Sequence, residues 1–318
     1  METLFGFINA FKPPGPSSAA FGNWVKRMCA GAAVGHWGTL DPTACGVLVL
    51  AVGKATKLLP LLPHSRKQYV FELVVGERTD SGDAQGVVVA AAPVASDWAL
   101  ALQAGAGSLI GPHLQVPPMH SAVKVDGRPL YRDARKGLDV PRTPRTTTIH
   151  DLHVIAHAAR IARLFVDCDA GTYVRVLCEE LGRRLDLPAR MGALLRVGAG
   201  PFVLRESVRP DQIAANAAGC LIDPLSVLQC PRYEVDDMAA RRFMHGNEVR
   251  LSGQRSAVLA AASADAKTEV LVTHDGTLIG CGYLLTHDAG PALIAPTRVL
   301  VDGASITSQG PVAEEANE

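Results

Sequence analysis

Gly35-His36-Trp37-Gly38-Thr39-Leu40-Asp41-Pro42-Thr43-Ala44-Cys45-Gly46-Val47-Leu48 is the most informative stretch of the chain. A glycine-punctuated loop ends in an Asp-Pro pair, and an unbroken apolar run follows to Val52. Proline disfavours helix for the residue before it, so Asp41 is extended or in a turn. The run Gly46–Val52 reads as a buried strand. A carboxylate therefore emerges at the edge of a rigid element, where a scaffold can aim it. Spacing alone leaves two readings open: an ordinary Asp-Pro turn, or a functional acid.

Outward from that core, Tyr69–Val75 reads as a second strand. Gly76 to Gly86 is polar and glycine-rich and leads to Val87–Ala90, a pattern that predicts a β-hairpin with a long, functional loop. Ile161–Cys168 is strand-like. Thr172 is placed to cap a helix from about Tyr173 to Leu185, with Val174, Leu177, Cys178 and Leu181 on its apolar face. The composition changes near Leu228-Gln229-Cys230-Pro231. Beyond it, strand candidates at Ser256–Ala260, Glu269–Val272, Leu278–Leu285 and Arg298–Val301 suggest a small β-rich domain. The expected class is α+β: a catalytic domain over residues 1–230 with a mixed or antiparallel central sheet and flanking helices, and a β-rich domain over 231–303. A disordered tail is expected over 304–318, where Glu314–Glu318 is acidic.

The 318 residues are 48% hydrophobic and 19% charged, enough to bury a core and too ordered in composition for a disordered chain. The apolar runs are too short to span a bilayer, and the N-terminus has no basic-plus-apolar leader. Seven cysteines without a CxxC pair fit reduced thiols, so the expectation is a cytoplasmic chain with no membrane partner. Net charge is zero. Locally, Met119 to Arg145 holds seven basic residues (Lys124, Arg128, Arg132, Arg135, Lys136, Arg142, Arg145) against Asp126, Asp133 and Asp139. Arg183, Arg184, Arg190 and Arg196 form a second group on or near the expected helix. Either group fits a solvated face as well as a phosphate track. His150, His153 and His157 imitate metal-ligand spacing, but no cysteine or carboxylate cluster accompanies them beyond Asp151, so no metal is expected. Gly76 to Gly86 lacks the lysine and hydroxyl of a phosphate-binding loop.

The segment GHWGTLDPTACGVL resembles the signature of the TruB family of tRNA pseudouridine synthases. Five further blocks follow the family's order. They are Gly6 to Ser18, Lys67-Gln68-Tyr69, GERTDSGDAQG, Val116 to Lys124 with Gly127 and Tyr131, and Gly171-Thr172-Tyr173-Val174-Arg175. Tyr233–Arg250 and Gly280–Val301 are similar, more weakly, to a PUA-like RNA-binding domain. His120, Trp37 and Cys45 depart from the usual residues of these blocks.

The resemblance implies an isomerase that turns uridine into pseudouridine at position 55 of the TΨC arm of tRNA. It needs no cofactor and no obligate protein partner, and acts as a monomer. It implies Asp41 as nucleophile, Tyr69 stacked on the flipped base, and Tyr173 beside that base as a candidate proton-transfer group. Arg175 would pair with Asp41, His36 would hold the everted RNA, and Leu194 would line the uracil pocket. Two other readings stand beside it: an RNA-binding or tRNA-folding module with secondary or lost catalysis, and the guide-RNA-dependent branch of the superfamily. The second is disfavoured by the lack of long basic extensions. The chemistry suits these residue types. Breaking a C–N glycosidic bond and forming a C–C bond involves no redox change. A carboxylate can attack covalently or deprotonate the sugar so that a glycal forms, and a nearby guanidinium keeps it charged in a dry site.

Overall fold

The computed structural model describes residues 4–63, 66–119, 121, 124–125, 128–129, 138, 140–251, 268–285 and 292–301. The expected strand Ser256–Ala260, the tail 304–318, the motif residues His120, Gly127 and Tyr131, and Arg132, Arg135 and Lys136 lie outside the described residues. Two compact units emerge. One comprises the described residues through Leu59 together with Pro63–Asp223; the other holds Pro60–Leu62 and residues from Pro224 onward.

The first unit is built on a nine-stranded sheet. Its strands are β1 (Gly6–Lys12), β2 (Val34–Trp37), β3 (Cys45–Val52) and β4 (Lys67–Val75), then β7 (Gly111–Gln115), β10 (Arg145–Ala158), β11 (Ile161–Cys168), β12 (Ala189–Ala199) and β13 (Phe202–Val203). The order is β1-β3-β12-β4-β11-β10-β7, with β2 on β3 and β13 on β12. Only the β3–β12 contact is parallel among these pairs. β3 is buried on both faces, which is why its sequence is apolar without alternation. β4 alternates, with Lys67, Tyr69, Phe71, Leu73 and Val75 turned inward. Helix α1 (Ser18–Met28) packs Phe21 and Val25 into the core, and the Ser17 hydroxyl caps it by accepting from Ala20 N at 3.1 Å. A short helix, α2 (Leu102–Gly107), and α3 (Val174–Arg184) complete this core.

Four local expectations change. β4 does not form a hairpin with Val87–Ala90, because β11 and β12 already occupy both its edges. The chain turns at Gly76 (φ +93°), and a separate two-stranded ribbon pairs β5 (Glu77–Thr79) with β6 (Val88–Ala91). Thr172 does not cap α3. Its hydroxyl donates to Asp169 O and contacts Thr147 Oγ1, while the helix begins at Val174. The Gln115 side chain on β7 accepts from Tyr173 N at 2.9 Å instead. His150, His153 and His157 all fall on β10 rather than on a strand plus a loop. Finally, the arginines of the second basic group are not a free phosphate face. Arg183 and Arg184 pair with Glu180, Arg190 pairs with Glu77, and Arg196 is buried on β12.

Within the second unit, a five-stranded sheet surrounds a core that includes Tyr233, Phe243, Val270, Ile279 and Ile294. Its strands include Glu269–His274 and Thr277–Leu285, close to expectation, and Leu293–Val299 where Arg298–Val301 was expected. The helix Asp237–Met244, capped by Asp236 accepting from Ala239 N at 2.8 Å, was not foreseen. No helix among the described residues is long and apolar enough to cross a membrane.

Gly46 is where β3 meets β12, opposite Arg196. Its φ of +104° favours glycine, and a Cβ there would collide with the Arg196 backbone. Gly46→Ala is therefore expected to cost about 2–5 kcal/mol through strain and overpacking. Denaturant unfolding measures this; a change under about 0.5 kcal/mol would show that the junction yields.

Candidate active site

The corner that carries Asp41 is clamped from several sides. Ser18 Oγ accepts from Leu40 N and donates to Leu40 O, both at 2.8 Å. Lys12, fully buried, donates through Nζ to Pro13 O and Pro16 O at 2.8 and 2.9 Å, and to Pro42 O at 3.4 Å. Its burial pulls the ammonium down to about 8, with the nearby Cys45 and Asp41 opposing. Arg196, 1% exposed, donates Nε to Val47 O at 2.6 Å, Nη2 to Gly38 O at 2.9 Å and Nη1 to Thr39 O at 3.5 Å. The backbone is thus fixed by buried cations and a hydroxyl.

The carboxylate of Asp41, with 35% of its side chain exposed, meets Arg175 from α3: Nη2 lies 3.2 Å from Oδ2. The guanidinium is itself only 6% exposed and donates from Nη1 to Ser81 O at 3.1 Å. The polar loop after β5 is what holds that carbonyl. Ser81 Oγ donates to Asp83 Oδ1 at 2.7 Å and Thr79 Oγ1 to Asp83 O at 2.6 Å, while Gln85 N donates to Asp83 Oδ1 at 2.9 Å. The polar, glycine-rich loop is thus a brace for the arginine.

Asp41, Tyr69, Tyr173, Arg175 and Leu194 line one pocket of about 350 Å³, with Lys67, Ser121 and Arg196 also in its wall. That volume suits a small planar ligand. Tyr69 comes from β4 opposite Arg196, Leu194 from β12 opposite Phe71, and Tyr173 from the residue before α3. Burial pushes the Tyr69 phenol up, and Arg196 opposes it by charge and hydrogen bond. Tyr173 is raised by burial too, against Ser121, Arg145 and Arg175. Both phenols therefore carry their protons near neutral pH. His36 is not part of the lining. It sits half-buried on β2 with Nε2 3.4 Å from Thr39 Oγ1, and burial followed by Arg196 lowers its imidazole, which is neutral at pH 7.

Sequence reasoning grouped Arg196 with surface cations. The signal against this was its period: Leu194 and Arg196 are two apart on one strand and so share the inward face. Among the described residues the three-membered set able to hold a metal ion is Glu234, His274 and Asp275, not the histidines of β10. There, His150 pairs with Asp169 at 2.7 Å and His153 with Asp151 at 3.1 Å.

A charged carboxylate gripped by a guanidinium, facing two tyrosines across a part-dry pocket, can act as nucleophile or base on a stacked ring. Residues 26–174 match the family model described as TruB family pseudouridylate synthase (N terminal domain). The chain is 40% identical over 248 residues to tRNA pseudouridine synthase B of Symbiobacterium thermophilum, covering 76% of this chain and 82% of that one. It is 36% identical over 308 residues to tRNA pseudouridine synthase B of Burkholderia mallei, covering 95% and 99%. A chain in a crystal structure of a Cbf5-Nop10-Gar1 complex has the same fold, with TM-score 0.69, 22% identity, and 95% and 86% coverage.

Proposed function

The chain belongs to the TruB family and is a pseudouridine synthase; from that premise we propose that it isomerises uridine 55 in the TΨC arm of tRNA through Asp41. The observation that carries the reading is the Asp41–Arg175 ion pair opening onto a pocket walled by Tyr69 and Tyr173. The target base leaves its stack at a cost of a few kcal/mol. Stacking on the Tyr69 ring returns about 1–3 kcal/mol. Asp41 then attacks the nucleotide covalently or removes a sugar proton, and Arg175 holds the carboxylate in its charged, aimed form through either route. Tyr173 keeps its proton and serves at the face where the ring turns, and Leu194 packs against the base. His36, outside the lining, acts on the RNA that flanks the flipped nucleotide.

The C-terminal region, residues 231–303, would grip the tRNA through phosphates and shape, as a PUA-like domain does, and residues 1–230 would carry the catalysis. The protein works in the cytoplasm as a monomer. Arg142 and Arg145 are the basic residues of the Met119–Arg145 group whose side chains are described. Arg142 rests on Pro117 O at 3.3 Å. This group, rather than the paired arginines of α3, is the better phosphate track.

Incubation of the purified chain with an unmodified tRNA transcript, followed by site-resolved pseudouridine mapping, tests this. Product at uridine 55 with neither guide RNA nor cofactor is expected. Product elsewhere, or none, removes the assignment. Affinity should fall with salt at a log–log slope of about 0.7–0.9 per neutralised phosphate; filter binding across a salt series reads it, and a flat response rules out the basic group as the RNA face.

A further inference from the structure

Lys67 lines the same pocket, yet the steps above give it no task. It lies two residues before Tyr69 on β4, so both side chains share the inward face. The residue is 5% exposed, and its Nζ has no hydrogen-bond partner among the described residues. What Nζ does have is the Trp37 indole, whose ring centroid is 3.1 Å away. Gly38 packs on another side, where a Cβ would sit 3.8 Å from Nζ. The neighbouring charged or titratable groups give it no counter-ion. Arg196 on β12 repels it, and the Cys168 thiol on β11 is pushed up to about 12 by its own burial and is neutral. Burial, with Arg196 second, pulls the Lys67 ammonium down to about 7.

An unpaired buried ammonium is destabilising. Its position against a π face, at the wall of a ligand pocket, is that of a donor whose acceptor arrives with the substrate. The reaction supplies such an acceptor. When the C1′–N1 bond breaks, its electron pair stays on N1, and the ring departs as an anion with charge spread onto O2 and O4. This holds whether Asp41 attacks or deprotonates. Arg175 is engaged with Asp41 and Ser81 O, and Arg196 is held by three backbone carbonyls and by the Tyr69 phenol. Resting on the pseudouridine chemistry above, we infer that Lys67 is a further catalytic residue: its ammonium leaves the Trp37 face to donate to a carbonyl oxygen of the detached uracil anion. The electron pair returns through C5 as the new bond to C1′ forms. The Asp41 carboxylate then leaves C1′ in the covalent route, or returns the sugar proton to C2′ in the glycal route, and the C5 proton leaves to a base. Lys67 keeps its three protons throughout.

Single-turnover pseudouridine formation on unmodified tRNA transcript, at saturating full-length enzyme and across pH, tests this. Lys67→Met should slow the chemical step about 10²-fold, as loss of one aimed donor does, with RNA affinity within about threefold. The charged form is the active one, so the wild-type rate should fall as pH rises through the Lys67 pKa. Lys67→Met should lack that fall, and Lys67→Arg should stay charged and recover part of the rate. Trp37→Leu, which removes the resting partner of the ammonium, should move the fall to lower pH. Transcripts carrying 5-fluorouridine have no C5 proton to lose and stop at the rearranged C5–C1′ product, so the rate is read as loss of the C1′–N1 linkage. The ring leaves as a weaker base, so the Lys67→Met defect on that step should shrink below about tenfold. Lys67→Met should also unfold no more easily than wild type, because it deletes an unpaired buried charge. A Lys67→Met rate within about threefold of wild type overturns the inference. So does an equal defect on both transcripts with the alkaline fall intact. A wild-type chain that makes no pseudouridine on tRNA overturns the functional reading and this one with it.

Discussion

Asp41→Asn eliminates pseudouridine formation, lowering the single-turnover rate by at least about 10⁴-fold, while tRNA affinity stays within about threefold. The amide has nearly the shape of the carboxylate and can still accept from Arg175 Nη2, so the corner keeps its geometry. That corner is fixed by backbone contacts to Ser18, Lys12 and Arg196, none of which involves the Asp41 side chain. The change is therefore chemical and not structural. An amide is too weak a nucleophile to form an ester with a sugar carbon and too weak a base to take a sugar proton, so both routes fail together. Affinity depends on phosphates gripped elsewhere, which the neutral amide does not disturb. Mapping at uridine 55 under single turnover, with binding measured alongside, decides the matter. Turnover surviving within about tenfold would take Asp41 out of the mechanism, whatever its position in the pocket.

Much of the scaffold around that aspartate could be read before any coordinates, for a physical reason. β3 and β11 are central strands, and their burial forces an apolar or alternating pattern that a single sequence displays. Elements whose partners are distant in the chain were less legible. The polar stretch after β4 looked like the turn of a hairpin because its two ends are strand-like, but pairing depends on which edges are free. β11 and β12, more than 80 residues away in sequence, had taken those of β4. Thr172 had the right chemistry for a cap, yet Gln115 from β7 reached the helix end first. Arg196 was misjudged because charge was weighed before period. As for the site, Asp41, Tyr69, Tyr173, Arg175 and Leu194 arrive from separate segments, and no local spacing predicts that they meet. The family resemblance supplied that grouping. It placed Lys67 in one of the family blocks but gave it no task; that its ammonium is buried against Trp37 without a hydrogen-bond partner among the described residues is seen only in the packing.

Arg175→Met should then slow the chemical step about 10³-fold, close to 4 kcal/mol, with affinity changed far less. Arg175 is the deeper member of the ion pair, and removing it strands a carboxylate that the pocket has partly dried. Breaking a buried pair from one side costs about 3–5 kcal/mol. The solvent reaching a third of the Asp41 side chain screens some of that loss and keeps it below the upper limit. The guanidinium also ties Asp41 to the Ser81 carbonyl, so its fork sets direction as well as charge. Arg175→Lys separates the two contributions. An ammonium restores the charge but, as a single point, cannot span both partners, so it should recover about tenfold of the lost rate and no more. Comparable losses of rate and affinity in Arg175→Met would make the residue a phosphate contact instead. The geometry argues against that outcome, because an arginine 6% exposed, with Nη1 on one loop and Nη2 on Asp41, has little left to offer a backbone phosphate.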